Sequence, residues 1–214
     1  MTAQLAAQPY RREAMSHPAV RYERKTPQHH ISIVVPSGKV TRLRVPDRAA
    51  KAQLITAILK ARGEPDEELE LFGMPVESLR PRERQRLRAR IGAVSKVVGL
   101  MSNLNAWENI SLPAAYHGRP PLEDVVTLAH EVLSAFGAEP RGFLARIPDE
   151  LTTLERKIAE FIRVLVTAPE LMLFDALDEG LSPSECKPVA HFESVYRAYQ
   201  PAGTVLYIDV REDS

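Results

Sequence analysis

The sequence predicts one α/β domain with a mostly parallel central sheet. The chain has 214 residues, 44% of them hydrophobic and 26% charged, which is enough for one domain with a sizeable core. In residues 151–183, apolar side chains recur at helical spacing and are followed by a short apolar run that ends in Asp175. A carboxylate at the end of a buried strand is where an α/β sheet places its chemistry.

Composition and charge restrict the function classes. The 28 basic side chains equal the 28 acidic ones, so no overall field attracts an anionic membrane or nucleic acid, and we expect no nucleic-acid partner. The single cysteine, Cys186, excludes an internal disulfide. The sequence has no apolar run of roughly 18 residues, and its start lacks the pattern of a signal peptide. We therefore expect a cytoplasmic protein with no direct membrane insertion.

The N-terminal part of the chain divides into a lead-in and two strands. Residues 1–30 mix Pro, Gln, His and Arg without clear periodicity, which predicts a loosely ordered segment. Residues 31–35 and 40–45 have strand patterns around a Ser-Gly turn. Arg42 and Arg44 are unusual in the second strand, because a buried guanidinium needs solvent or a carboxylate.

Helical patterns fill most of the remaining chain. A helix is expected over about residues 49–61, and an amphipathic helix over residues 122–136. Residues 80–90, RPRERQRLRAR, place their arginines in two rows on opposite faces of a helix, which suits a solvated helix better than a nucleic-acid groove. Residues 151–166 form the helix before the buried strand, and residues 205–210 form a last strand.

Two stretches resemble one family. Residues 151–183, LTTLERKIAEFIRVLVTAPELMLFDALDEGLSP, are similar to the signature helix, Walker B strand and D-loop of ATP-binding cassette (ABC) ATPases. Residues 91–118, IGAVSKVVGLMSNLNAWENISLPAAYHG, resemble the Q-loop region, in a form common in ATPases of Mla-type lipid-trafficking importers. The resemblance covers roughly residues 20–210. It implies a P-loop NTPase-like fold over residues 31–214, with a small N-terminal β region, a helical insertion at about 97–157 and a truncated C-terminus.

The phosphate loop that this resemblance implies has lost its defining residues. An intact Walker A motif, G-x-x-x-x-G-K-[ST], closes backbone amides around phosphates and supplies a lysine and a magnesium-binding hydroxyl. In the same register this chain reads VPDRAAKA. Val45 and Ala50 replace the two required glycines, and Ala52 replaces the hydroxyl. Arg48 stands at a further glycine of the family, so Lys51 is the residue of the motif that is retained.

Other motif positions of the family also carry different residues in this chain. The resemblance implies a glutamate after the Walker B aspartate, a glutamine in the Q-loop and a histidine after the last strand. The chain has Ala176, Lys96 and Val210 at these positions. The LSGGQ signature is replaced by Leu151, Thr152, Thr153, Leu154 and Glu155. Together these departures predict that no catalytic site is intact.

The resemblance implies at most a vestigial nucleotide site. Its candidate residues are Tyr22, Arg48, Lys51, Ala52 and Asp175. Tyr22 lies roughly where the family keeps an aromatic that stacks on adenine, and local packing of its ring is the alternative. Asp47, near the start of a helix, competes with phosphate for the free amides. We expect no metal site and no tightly bound cofactor, with weak binding of ATP and Mg²⁺ as the alternative.

The side chain of Arg44 is a candidate to occupy the site where the family binds a nucleotide. In the fold that the resemblance implies, the strands bearing Arg44, Asp175 and Asp209 are neighbours. An ion pair from Arg44 to either aspartate would fill the space of the magnesium ion and the phosphates.

An apolar stretch near the Q-loop is the candidate partner surface. It includes Leu100, Met101, Leu104 and Trp107. Methionine and tryptophan are enriched in protein interfaces. Packing as a small satellite of the core is the alternative.

The pattern of retained and lost residues favours a degenerate, non-hydrolysing ABC ATPase-like subunit that supports or regulates a membrane transporter. Expected partners are a membrane permease, a second ABC ATPase subunit or a second copy of the chain, so the protein reaches the inner face of the membrane only through a partner. Two alternatives stay open. One is a working ATPase with atypical motifs that uses Lys51 and Asp175, and the other is an interaction scaffold unrelated to transport.

Overall fold

The computed structural model describes residues 17–25 and 30–211, which form an α/β fold with two sheets. The strands of the described residues are β1 (Val20–Lys25), β2 (His30–Val35), β3 (Val40–Val45), β4 (Glu67–Leu71), β5 (Met74–Pro75), β6 (Ile91–Val94), β7 (Leu171–Asp175) and β8 (Thr204–Val210). Their α-helices are α1 (Arg48–Lys60), α2 (Pro81–Arg88), α3 (Ala106–His117), α4 (Leu122–Ala135), α5 (Pro140–Ala145), α6 (Thr153–Leu165), α7 (Cys186–Val189) and α8 (Phe192–Tyr199). The predicted fold class is confirmed.

The first sheet is antiparallel, with the strand order β2-β1-β4-β5. β1 lies inside this sheet, and its residues Val20 and Tyr22 are 0% and 3% exposed. The prediction of a loosely ordered lead-in is therefore wrong for residues 20–25. Val20 and Tyr22 are two positions apart and lie on the same face of the strand, which gives its first half a face for the core. Residues 1–16 and 26–29 of the predicted lead-in lie outside the described part of the chain.

The second sheet is parallel, with the strand order β3-β8-β7-β6. Every residue of β6 and β7 is buried. In the part of the chain that the structure describes, β3 lies at the edge of this sheet. The edge position explains why Arg42 and Arg44 are tolerated, since both are exposed. The Arg42 guanidinium also stacks 3.9 Å from the centre of the Tyr207 ring.

Helices cover both faces of the parallel sheet. On one face, α1 packs against both sheets in an apolar cluster that buries Leu54, Ile55 and Ile58. On the other face, α3, α4, α6 and α8 form a larger cluster, in which the rings of Phe161 and Phe192 stack with centres 4.3 Å apart. Burial on both faces explains why the inner strands β7 and β8 are apolar at most positions.

The region between β6 and α6 is helical and contains α3, α4 and α5. The helix predicted over residues 122–136 is observed at Leu122–Ala135, and the one over about 49–61 at Arg48–Lys60. Among the described residues, no helix combines the length and the apolar character needed to cross a bilayer.

Candidate functional site

The C-terminal ends of β3, β7 and β8 meet at one edge of the parallel sheet, next to the first turns of α1. There Lys51 Nζ lies 2.7 Å from Asp175 Oδ1. The Lys51 and Asp175 side chains are 13% and 7% exposed, so the pair is largely removed from water. An ion pair in this environment is screened by salt much less than a surface pair.

Ser95 holds the second oxygen of Asp175. Its Oγ donates a hydrogen bond of 2.7 Å to Asp175 Oδ2, and Ser95 is 3% exposed. Among the described residues, Asp175 Oδ1 has no aligned hydrogen-bond donor, so its contact with Lys51 is ionic. One cation and one hydroxyl therefore compensate this buried carboxylate.

The hypothesis that Arg44 fills this site is wrong. Arg44 is exposed on the edge strand and forms no ion pair within the described part of the chain. It lies in register with Asp209 of β8. Burial raises the pKa of Asp209, and the charges of Lys51 and Arg44 partly oppose this rise. The cation that reaches Asp175 comes from α1, because a lysine is long enough to extend from the helix to the strand end.

The segment that corresponds to the phosphate loop is an ordinary turn from strand to helix. Asp47 caps α1, since its Oδ1 accepts a hydrogen bond of 2.8 Å from the Ala50 amide. Neither Val45 nor Ala50 has a positive φ, so their side chains cause no backbone strain. Asp47 thus uses one of the free amides at the helix start and places a negative charge beside the others.

Tyr22 belongs to the core of the first sheet. Its hydroxyl donates a hydrogen bond of 2.6 Å to Glu67 Oε1, and the residue is 3% exposed. Burial raises the pKa of Tyr22, and the bond to Glu67 raises it further. The adjacent cavity has a volume of about 10 Å³, room for a single water molecule. The structure therefore agrees with local packing of this ring, the alternative to stacking on adenine.

The remaining predicted positions lie at the ends of β7 and β8, beside Ser95 and in α1. Ala176 and Val210 have no ionisable side chain, and Ala176 has a φ of 43°, in the left-handed region. Lys96 Nζ lies 3.0 Å from Glu179 Oε1, and the two side chains are 72% and 41% exposed. This bond lowers the pKa of Glu179. An ion pair so exposed contributes about 1 kcal/mol or less. Arg48 and Ala52 are exposed near the start of α1.

The signature-like segment caps its own helix. The Thr152 hydroxyl accepts a hydrogen bond of 3.2 Å from the Glu155 amide, and Glu155 Oε2 accepts one of 2.8 Å from the Thr152 amide. Arg146 binds both oxygens of Glu155, at 3.1 and 2.6 Å. Burial raises the pKa of Glu155, but the hydrogen bonds from Arg146 and Thr152 outweigh it and hold the pKa below its usual value. In the rest of the segment, Leu151 is buried, Leu154 is partly buried and Thr153 is exposed.

The predicted partner residues divide between core and surface. Their partly buried members are Leu100, Leu104 and Trp107. Met101 is 46% exposed, and Val97 and Val98 of the same loop are 54% and 46% exposed. We call residues 95–105 the docking loop and these three side chains its apolar surface. Exposed apolar residues concentrated in one loop are typical of an interaction site.

Curated proteins with similar sequences are ATP-binding subunits, although no protein-family model matches the chain. The lipoprotein-releasing system ATP-binding protein LolD 1 of Rhodopirellula baltica is 29% identical over 183 residues, which cover 85% of this chain and 73% of that protein. The methionine import ATP-binding protein MetN of Wolinella succinogenes is 27% identical, over 72% of this chain and 50% of that protein. The match thus spans about half the length of MetN.

Solved structures that resemble this chain include ABC transporter cassettes. CbiO1 from Clostridium perfringens, part of an ABC transporter complex, has a TM-score of 0.69 and 16% identity over 92% of this chain and 79% of its own. The dimeric bacterial ABC transporter cassette MJ0796 has a TM-score of 0.68 and 19% identity over 91% of this chain and 87% of its own. This chain has the fold of an ABC ATPase. In sequence it is similar to ABC transporter ATP-binding proteins, including the intermembrane phospholipid transport system ATP-binding protein MlaF of Haemophilus influenzae, to which it is 25% identical over 72% of this chain and 58% of that protein.

Within this ABC ATPase fold, sequence reasoning missed two residues that organise the site. Ser95 fixes Asp175, and Asn109 fixes the docking loop. Asn109 is 0% exposed, and its Nδ2 lies 3.1 Å from the Met101 carbonyl oxygen and 3.0 Å from that of Leu104. A serine at the end of an apolar strand and an asparagine on the apolar face of a helix are the signals that identify them.

Proposed function

We propose that this chain is a non-hydrolysing ABC ATPase-like subunit that acts as a structural or regulatory partner of a membrane transporter. The observation that carries the proposal is the ion pair between Lys51 and Asp175. In an ABC ATPase these two positions serve the phosphates and the magnesium ion, whereas here they neutralise each other.

The free energy needed to break this ion pair opposes nucleotide binding. A phosphate that recruits Lys51 leaves Asp175 as an uncompensated buried carboxylate, which costs roughly 3–5 kcal/mol. A micromolar site has a binding free energy of about −8 kcal/mol and a millimolar site about −4 kcal/mol. The penalty is therefore large enough to move a micromolar site into the millimolar range. Asp47 adds to it, because its carboxylate caps the helix start that a phosphate would use.

The chain also lacks side chains that ATP hydrolysis uses in this family. Phosphoryl transfer from ATP to water depends on magnesium, on positioned phosphates and on a residue that orients the attacking water. Ala52 offers no hydroxyl for a metal, and Ala176 offers no carboxylate for the water. We infer that neither ATP nor Mg²⁺ is a tightly bound cofactor of this chain.

The relatives and the docking loop support the transporter role. LolD and MlaF carry names that place them in lipoprotein release and intermembrane phospholipid transport. The apolar surface of Val97, Val98 and Met101 is suited to an apolar segment of a partner protein. A membrane permease is the partner we propose for this surface, which would hold the chain at the inner face of the membrane. A second ABC ATPase subunit is the further partner, as in dimeric cassettes such as MJ0796.

Co-purification of the chain with a membrane permease tests this function. A tagged chain is expressed in its native cells, and the membranes are solubilised in a mild detergent and purified through the tag. We expect a membrane permease in stoichiometric amount with the wild-type chain and its loss with Met101→Asp. Val34→Asp is the matched control, because Val34 is 49% exposed and lies on the edge strand β2. A wild-type chain that stays in the soluble fraction without a permease would contradict the transporter role and favour the scaffold alternative.

A further inference from the structure

Ser95 connects the ion pair to the docking loop. Its Oγ donates to Asp175 Oδ2 at 2.7 Å and accepts a hydrogen bond of 3.2 Å from the Val97 amide. The Ser95 carbonyl oxygen accepts two further hydrogen bonds, from the amides of Val98 and Gly99 at 3.0 and 3.1 Å. The start of the docking loop therefore winds around a buried residue whose side chain is oriented by Asp175.

Asp175 links this serine to α1. Its Oδ1 lies 2.7 Å from Lys51 Nζ, and Lys51 is on α1. The contacts thus run without interruption from Lys51 through Asp175 and Ser95 to the Val97 amide. Chains of hydrogen bonds and charges in a low-dielectric environment strengthen one another, so the loss of one link weakens the next.

The rest of the docking loop is held independently of this chain of contacts. Asn109 Oδ1 accepts a hydrogen bond of 2.8 Å from the Met101 amide. The buried Arg163 donates from Nη2 to the Gly99 carbonyl oxygen at 2.7 Å. The contacts through Ser95 therefore act on the first residues of the loop, including the exposed Val97 and Val98.

We propose that Lys51, Asp175 and Ser95 form a polar relay through which the Lys51 ammonium holds the docking loop in its binding conformation without a nucleotide. The Lys51 ammonium holds the Asp175 carboxylate in place. The carboxylate fixes the Ser95 hydroxyl, whose oxygen then accepts a hydrogen bond from the Val97 amide. In this role Lys51 and Ser95 are positioning residues. The docking role of the loop rests on the function proposed above, whereas the relay itself does not.

Amide hydrogen exchange at Val97, followed by NMR, tests the relay. The variants are Ser95→Ala, which removes the hydroxyl, and Lys51→Met, which removes the charge. We expect Val97 exchange to rise about tenfold or more in each, as for the loss of one hydrogen bond, while exchange in the central strand β7 reports any accompanying loss of global stability. Ser194→Ala is the matched control, because its hydroxyl donates to the His191 carbonyl oxygen within the α8 segment and takes no part in the contacts of Ser95.

The double variant shows whether Lys51 acts through Ser95. In the relay, Lys51→Met adds little to Val97 exchange once Ser95 is alanine, since the link is already broken. Unchanged exchange in both single variants, or a full additional effect in the double variant, would overturn the proposal. If Lys51→Met does not fold, Lys51→Gln keeps an N–H donor without the charge and gives the same comparison.

The relay and the proposed function fail in different ways. If Val97 exchange rises in the variants but no permease co-purifies with the wild-type chain, the relay stands and the docking role fails. If a permease co-purifies with the wild-type chain but Val97 exchange is unchanged in both variants, the docking role stands and the relay fails.

Discussion

At the scale of single residues, the same lysine has two different possible roles. A lysine at the end of a phosphate loop binds phosphates when the loop amides face a ligand, but here Lys51 contacts a buried carboxylate at 2.7 Å. The sequence showed that Lys51 and Asp175 were retained and did not show that they pair. Arg44 was the expected partner, and it is exposed because β3 lies at the edge of the sheet. Which cation pairs with Asp175 depends on strand order and on helix rotation, and a local sequence pattern determines neither.

Removing the Lys51 charge should destabilise the protein. Lys51→Met leaves the Asp175 carboxylate buried without a cation, and we expect the free energy of unfolding to fall by roughly 3–5 kcal/mol. Urea denaturation followed by circular dichroism measures this difference. Lys187→Met is the control, because Lys187 is exposed and should give a change within about 0.5 kcal/mol. A Lys51→Met variant as stable as the wild type would show that the ion pair contributes nothing.

At the scale of secondary-structure elements, the strong patterns were predictive and the weak ones were not. The helices at 49–61 and 122–136 were found within one residue at each end, because both combine apolar stripes with clear breakers. β1 was missed, since its six residues, VRYERK, carry four charged side chains that hide the alternation of Val20 and Tyr22. Two buried positions are enough for a strand that is paired on both sides.

The cap of α6 predicts a pH dependence. The pKa of Glu155 is lower in the folded protein than in the unfolded chain, so its stabilising contribution is present above the unfolded pKa and disappears as the pH falls through the folded pKa. Glu155→Gln should therefore lower the free energy of unfolding by roughly 1 kcal/mol at pH 7 and by much less near pH 2. Urea denaturation at both pH values checks this. An equal loss at the two pH values would mean that charge is not involved.

The contact between β6 and α6 predicts a steric effect at Gly92. A β-carbon at this position would overlap the Val164 side chain and approach Pro169 Cγ to 2.9 Å. We expect Gly92→Ala to lower the free energy of unfolding by about 1–3 kcal/mol or more, because the strand and helix must separate. The double variant Gly92→Ala/Val164→Ala should recover part of this loss in the same denaturation experiment. A Gly92→Ala variant with wild-type stability would contradict this close packing.

At the scale of the whole molecule, the order of family motifs predicted the fold, and their residues suggested the function. The phosphate-loop segment, docking loop, signature-like helix and Asp175 strand occur in sequence, and the folded chain brings the first two and the last to one edge of the sheet. The sequence predicted an ion pair from Arg44 to Asp175 or Asp209, whereas in the structure Asp175 pairs with Lys51. Ser95 was missed because a single serine directly after the apolar strand β6 forms no periodic pattern.

The measurement that tests the account most directly is calorimetric titration of the purified chain with ATP, with and without Mg²⁺. If Lys51 and Asp175 neutralise each other and Asp47 caps α1, we expect no binding heat up to about 1 mM ATP in either condition. A catalytically competent ABC ATPase subunit under the same conditions is the positive control. Saturable, Mg²⁺-dependent binding in the micromolar range would contradict the account and favour the alternative of a working ATPase with atypical motifs.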